Sequence, residues 1–182
     1  MSAPTPVRIL DYGMGNIRSI RSALQAVGAE VEVSEEVGGE RLVVPGCGSF
    51  AEAVERLGPR MDALRAFEGE LLGICLGMNL MFTRCGAVQG LNLFEGDIVD
   101  LPGPHVTVPN MGWHPLHGLG DPFVYFTHGQ GVAACPTATA TIDHGGSWVA
   151  AVHRGRHTGF QFNPEKSGKA GLMLLHRWLN PC

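Results

Sequence analysis

Residues 71–80 read LLGICLGMNL, and the fold turns on how this stretch is read. Leu71 to Ile74 form a short apolar run of strand length, and a helix is expected to begin near Leu76. Cys75 stands at the junction, with Gly73 and Gly77 two residues away on each side. G-x-C-x-G is the spacing of a nucleophile elbow. A side chain at the tip of a sharp strand-to-helix turn needs small neighbours, so that the turn closes and the helix passes the strand. A thiol in that place lies at a helix N-terminus, which favours thiolate. Cys75 is therefore expected to be the most reactive thiol near neutral pH. The plainer alternative is a buried cysteine that ends a core strand, and the paired glycines count against it.

The pattern continues outward in both directions. VRIL (7–10) reads as a first strand. Asn16 in DYGMGN is a plausible cap for a helix over 17–27, with an apolar stripe of Ile17, Ile20, Leu24 and Val27 and a stop at Gly28. AEVEVS (29–34) and RLVVPG (41–46) are further strands, a helix follows over about 50–57, and ELLGIC (70–75) is the fourth strand. Such alternation implies a parallel sheet covered by helices. From about residue 93 short β-like pieces crowd together: DIVDL (97–101), FVYFTH (123–128), TATIDH (139–144), SWVAAVH (147–153) and TGFQF (158–162). They are expected to pair antiparallel and extend the sheet. A last helix over about 169–179 buries Leu172, Leu175 and Leu179. The expectation is one α/β domain over 1–182, with a largely parallel central sheet, helices on both faces and an antiparallel C-terminal extension.

Composition narrows the function. The 182 residues are 45% hydrophobic and 16% charged, with a net charge of −4. No basic footprint for nucleic acid or anionic membrane is visible. The one basic cluster, HRGRH (153–157), surrounds a glycine and reads as a hairpin turn rather than a phosphate site. The first residues carry no charged region ahead of a long apolar run, so no signal peptide is expected, and no run approaches a membrane span. Five cysteines, at 47, 75, 85, 135 and 182, are odd in number and lack C-x-x-C spacing. This argues for a reducing cytoplasm, and against a disulfide framework or a zinc cage, and no metal site is expected. Cys182 is terminal and expected to be exposed.

Two segments complete the chemistry. VVPGCGSF (43–50) ends a strand in a loop of backbone N–H groups around Gly46 and Gly48. Beside the elbow, this loop and the N–H of Leu76 would serve an oxyanion. GFQFNPEKSG (159–168) alternates Phe160 and Phe162 with polar residues until Pro164. If the backbone stays extended, Asn163 and Glu165 share a side, where a cysteine enzyme wants a base and its orienting group. Asparagine, however, takes no proton at ordinary pH.

Six segments, DYGMGN, VPGCGSF, GICLGM, VPNMGW, YFTH and GFQFNPEKSG, follow one another in the order and spacing of one family. The chain resembles the glutamine amidotransferase subunits of imidazole glycerol phosphate synthase, within the class I, triad-type amidotransferases. The resemblance runs nearly end to end. It implies that Cys75 attacks the glutamine side-chain amide, that a thioester is hydrolysed to glutamate, and that ammonia passes to a (β/α)₈ barrel partner. There the ammonia serves the formation of imidazole glycerol phosphate in histidine biosynthesis. It further implies a heterodimer docked through Met111, Trp113 and Lys166, with no cofactor.

The departures from the family pattern fall in one pocket. The triad histidine falls on Asn163. A glutamine that helps hold the substrate becomes Asn79, and a hydroxyl residue and a tyrosine lining the site become Gly129 and Gln130. The His and Asn of the P-x-M-G-W segment become Asn110 and His114. Impaired glutaminase activity is the expectation, with His128 the first candidate for a substitute base. The alternative is a non-catalytic homologue docked on a synthase that uses free ammonia or serves a specialised pathway. A peptidase-like relative would carry histidine directly after the nucleophile, where this chain has Leu76. Nucleotide binding through GMGNIR (13–18) is weak, because Arg18 stands in place of the third glycine.

Overall fold

The computed structural model describes residues 4–102 and 106–181. Cys182 and the first three residues of the stretch read for a signal peptide lie outside them. In chain order the elements are β1 (Thr5–Leu10), α1 (Ile17–Ala26), β2 (Ala29–Ser34), β3 (Arg41–Val44), α2 (Phe50–Leu57), α3 (Arg60–Arg65), β4 (Glu70–Ile74) and α4 (Leu76–Leu80). Then come β5 (Arg84–Cys85), β6 (Val88–Gln89), β7 (Asp97–Asp100), β8 (Asn110–Pro115), β9 (Phe123–His128), β10 (Gln130–Gly131), β11 (Ala138–Asp143), β12 (Ser147–Arg154), β13 (His157–Phe160) and α5 (Gly168–Leu179).

Seven strands form the central sheet in the order β11-β12-β13-β4-β3-β1-β2. β2, β1, β3, β4 and β13 run parallel, while β12 and β11 extend the sheet antiparallel. Period-two alternation sorts the strands' side chains onto two cores. Val43, Leu72 and Ile74 pack with Leu24 of α1 and with Leu174, Leu175 and Trp178 of α5. Leu42, Val44 and Leu71 face the other way, onto Phe50 and Leu57 of α2, Leu64 of α3 and Met78 of α4. The result is three layers, as the sequence predicts. α1 begins as expected, with the Asn16 side chain accepting the Ser19 N–H at 3.5 Å. The HRGRH segment is the β12–β13 hairpin turn, with Arg154 paired to His157. No helix among the described residues is long and apolar enough to cross a membrane.

The pieces after residue 93 depart from expectation, since only the last three join the main sheet. β7 lies in a small sheet ordered β10-β7-β5-β6, and β8 and β9 form a separate antiparallel pair. Alternation is satisfied by any half-buried partner, so it does not announce which strand pairs with which. β9 turns Val124 and Phe126 into the core shared with Phe162. β13 also ends at Phe160, short of Phe162, because its backbone changes partner there. The Gln161 N–H still donates to the Ala150 carbonyl of β12, whereas the Asn163 N–H donates to Tyr125 of β9. The short helix α3 has no counterpart in the sequence reading.

Candidate active site

Strand order reverses around β1, since the chain leaves it for β2 on one side and later reaches β3 on the other. Loops at the carboxyl ends of such strands diverge and leave a crevice. The segments after β3, β4 and β13 all open at this end, because these strands are parallel. They bring together Gly46 and Gly48, Cys75, and Asn163.

The elbow is real and is enforced by packing. Cys75 adopts φ 55° and ψ −111°, a conformation costing about 1–3 kcal/mol for a residue with a side chain. A Cβ on Gly77 would lie 1.9 Å from the Val44 carbonyl oxygen, and one on Gly73 would lie 2.6 Å from the Gly77 carbonyl oxygen. No larger residue fits either position while the helix passes this close to the strands. The Cys75 N–H donates to the Phe160 carbonyl at 2.7 Å, which ties the tip of the elbow to β13.

The thiol itself is not as the sequence predicts. Cys75 is 7% exposed, and its Sγ donates to the Thr127 carbonyl at 3.5 Å. Burial pushes its pKa up to about 12, with nearby Glu165 and Cys47 adding to the rise and the Leu76 N–H and Lys166 opposing it. Cys75 is therefore a neutral thiol at pH 7. The five residues of α4 supply too little dipole to offset desolvation, and the expectation of a ready thiolate is corrected. Among the described residues the exposed thiol is Cys47, and Cys85 and Cys135 are half-buried.

Cys75 lies on the walls of two cavities. One, of about 500 Å³, is lined by Gly48, Leu76, Asn79, Gly129 and Gln130. The other, of about 120 Å³, is lined by Gly46, Asn163, Glu165 and Lys166. The expected site residues thus converge on one thiol from two sides. Asn79 is buried with its Oδ1 unpartnered, whereas the Gln130 side chain is turned outward and donates to Asp100 at 2.8 Å. Thr127 lines both cavities. Its contact to the thiol is made by the backbone, which no side-chain pattern announces.

Asn163 and Glu165 do pair, with Nδ2 of Asn163 donating to Oε1 of Glu165 at 3.1 Å. The route differs from the expected extended backbone, because Pro164–Lys166 forms a 3₁₀ turn that swings the carboxylate back. Ser167 Oγ donates to the Asn163 carbonyl at 2.7 Å and accepts the Tyr125 N–H at 2.9 Å, which clamps the turn to β9. Burial raises the Glu165 pKa against the pull of the Asn163 amide and Lys166. Asn163 Oδ1 and Glu165 Oε2 are buried and have no partner.

His128 lines the larger cavity but does not stand free as a base. Its Nδ1–H donates to the Gln130 carbonyl at 2.9 Å, so Nε2 carries the lone pair and accepts Nδ2–H of Asn110 at 3.1 Å. Asn110 Oδ1 in turn accepts from His114 Nε2 at 2.7 Å. Burial lowers the His128 pKa to about 4, with His144 and His114 adding to the fall. The imidazole is a neutral structural link with its lone pair already used, which corrects its candidacy as substitute base.

On β8–β9 the inward face carries Asn110, His114, Phe126 and His128. The outward face carries Met111, Trp113 and Phe123, which are 62%, 53% and 60% exposed. The Trp113 ring meets Tyr125 edge-on, with centroids 5.8 Å apart, and Tyr125 leads through the Ser167 clamp to exposed Lys166. Phe123 adds to the face expected from Met111, Trp113 and Lys166. The alternation in FVYFTH, which puts residues 123, 125 and 127 on one side, is the signal for it.

A sequence profile of the family "Glutamine amidotransferase class-I" matches residues 8–179. The chain is 42% identical to the imidazole glycerol phosphate synthase subunit HisH of Symbiobacterium thermophilum, covering 93% of this chain and 91% of that protein. It is 35% identical to the HisH subunit of Archaeoglobus fulgidus, covering 96% and 98%. Among solved structures it superposes on a glutamine amidotransferase with a TM-score of 0.75 at 19% identity, covering 95% and 97% of the two chains. A GMP synthase-type protein from Thermoplasma acidophilum gives a TM-score of 0.74 at 18% identity, covering 98% and 94%. These two likenesses speak for the fold.

Proposed function

The chain belongs to the class-I glutamine amidotransferases, and from that premise we propose that it is the glutamine-hydrolysing subunit of an imidazole glycerol phosphate synthase. It acts in histidine biosynthesis, in the cytoplasm, as one domain over residues 1–182. The observation that carries this reading is Cys75 on an intact elbow, on the wall of a cleft of about 500 Å³ whose backbone donors and polar side chains suit an amide substrate.

In this reading glutamine enters the larger cavity and its side-chain carbonyl meets Cys75. Asn79, Gly129 and Gln130 line the walls that receive the substrate. Sγ adds to the amide carbon, and the oxygen that gains charge is held by backbone N–H groups of Leu76 and the Gly46–Gly48 loop. The C–N bond breaks, ammonia leaves and water cleaves the thioester to glutamate. Asn163 and Glu165 occupy the place of base and orienter. Since asparagine neither takes up nor releases a proton at ordinary pH, the transfer from Sγ to the leaving nitrogen lacks a side-chain relay, and turnover is slow. The reading of a purely non-catalytic homologue is not favoured, because Cys75, Gly73 and Gly77 all persist.

The outward face of β8–β9 supports docking of a (β/α)₈ barrel subunit through Met111, Trp113, Phe123 and Lys166. An exposed apolar cluster rimmed by a cation suits a stable interface. Co-expression with the barrel subunit from the same genome, followed by gel filtration and assay of glutamate release, tests the proposal. One co-eluting peak at micromolar concentration is expected, and Trp113→Ala should weaken the complex by roughly tenfold or more. Two separate peaks and no glutamate release would overturn it.

A further inference from the structure

The side chain of Cys47 has no part in the proposed reaction, yet it stands beside the nucleophile. Cys47 shares the walls of both cavities with Cys75, and Cys85 joins them on the larger one. The loop that carries Cys47 packs directly on the elbow. A Cβ on Gly46 would lie 2.8 Å from Cβ of Leu76 and 3.1 Å from the backbone nitrogen of Gly77. The Tyr12 hydroxyl donates to the Pro45 carbonyl at 2.8 Å and holds the start of the loop in place. Burial raises the Tyr12 pKa, and the nearness of both Cys47 and Cys75 adds to the rise. Both thiols are free.

We propose that Cys47 is an oxidation site for hydroperoxides and that it then bridges reversibly to Cys75, which silences the nucleophile. The loss of activity rests on the reading of Cys75 as the nucleophile, and the bridge itself does not. The two sulfurs differ as such a pair requires. Cys47 is exposed and meets the oxidant first, whereas Cys75 is buried and protonated, which shields it from direct oxidation. Glycines flank Cys47, and Gly48 lies at φ 102°, so the backbone has the freedom to turn the sulfur inward. The contact that Cys75 gives up is only the long one to the Thr127 carbonyl. Cys85 lacks that freedom, because its strand β5 is paired on one side to β6 and on the other to β7.

The chemistry balances. Sγ of Cys47 bonds to the outer oxygen of the hydroperoxide, the O–O bond breaks, and an alcohol leaves (water, from hydrogen peroxide). Cys47 is now a sulfenic acid. Sγ of Cys75 bonds to the Cys47 sulfur, the S–O bond breaks, and hydroxide departs with the Cys75 proton as water. Two thiols lose two electrons and the hydroperoxide gains them. Juxtaposition on one cavity wall offsets the small thiolate fraction of Cys75. A dithiol reverses the bridge by exchange, freeing both cysteines as it closes its own disulfide.

The test treats the full chain with hydrogen peroxide near neutral pH, blocks remaining thiols with iodoacetamide and maps non-reduced tryptic peptides by mass spectrometry. Cleavage after Arg56, Arg65 and Arg84 puts Cys47, Cys75 and Cys85 on three different peptides. The dominant linked pair should join Cys47 to Cys75 within one chain, and dithiothreitol should dissolve it. Cys85→Ser should leave that pair unchanged, and Cys47→Ser should leave Cys75 reduced under the same treatment. Glutamate release, measured against Cys75→Ala, is the second readout. It should be lost in proportion to the bridged fraction and return on reduction. A bridge that forms while glutamate release is absent from the start, or continues undiminished, would leave the oxidation site standing and sink the reading of Cys75 as nucleophile. A dominant pair of Cys47 with Cys85, a link between two chains, oxidation of Cys47 that stops short of any bridge, or no reaction at Cys47 would each overturn the proposal.

Discussion

The segments that leave β4 and β13 lie side by side and have been treated differently. The β4 exit has no freedom, because Gly77 touches the Val44 carbonyl and Gly73 touches Gly77, so the backbone of the elbow is dictated by contact. The β13 exit is held by backbone and hydroxyl bonds from Tyr125 and Ser167, none of which depends on the side chain of residue 163. Packing therefore protects the nucleophile's position and is indifferent to the base. A catalytic pair can lose one member without the fold registering the loss.

The largest effect that would break this contrast is restoration of the base. Asn163→His places an imidazole beside Glu165 and should raise glutamate release by roughly 10²-fold or more. A rapid rate in the unmodified chain, measured against Cys75→Ala, would show that the base side was never impaired. The nucleophile side should answer in stability instead. Gly77→Ala drives a methyl into the Val44 carbonyl and should cost about 3 kcal/mol, the upper end of ordinary overpacking, read as a fall in denaturation midpoint. A neutral outcome would mean that the elbow is looser than its contacts imply.

A concealed imidazole serving Cys75 would also undo the contrast, and His128 is the one on the cleft wall. If its lone pair is spent on Asn110, it stays neutral in the fold down to about pH 4, against an ordinary value of 6.5. Between those values the unfolded chain binds a proton that the folded chain refuses. Stability present above pH 6.5 is then lost as pH falls toward 4, by up to about 3 kcal/mol. Glu165, whose raised carboxyl pKa acts in the opposite sense, makes the difference from His128→Gln the informative quantity in acid denaturation. An unchanged slope in that variant would mean that His128 titrates normally. The smallest effect is expected at Gly129, where an added Cβ would sit 3.9 Å from Pro109 and Val108. Gly129→Ser should alter stability by no more than about 0.5 kcal/mol, so a larger loss would show that the pocket wall is packed as tightly as the elbow.

What was legible in the sequence follows the range of the forces involved. The α1 cap at Asn16, the glycine bracket of Cys75 and the HRGRH hairpin are local, and residue order specifies them directly. The destinations of β7, β8 and β9 are not, because an alternating strand states that one face is buried and leaves its partner unspecified. The pairing of Asn163 with Glu165 was visible, but the 3₁₀ turn that achieves it depends on Ser167 reaching β9. The neutral thiol of Cys75 was the least legible feature. Its elbow is written in ten residues, whereas its desolvation comes from the loops and strands assembled around it. Sequence motifs locate a nucleophile more readily than they set its charge.

The hydrogen bond from the Cys75 N–H to the Phe160 carbonyl has a consequence for biogenesis. During synthesis the elbow segment is complete long before the ribosome has made the strand that borders it. β13 enters between β4 and β12 from the last part of the chain, so the closing contact belongs to the least local pairing in the central sheet. Until then the turn that presents the thiol is unsupported on one edge. The elbow thus gains its second edge only when the last part of the chain is made, and β12 and β11 join the sheet through that same strand.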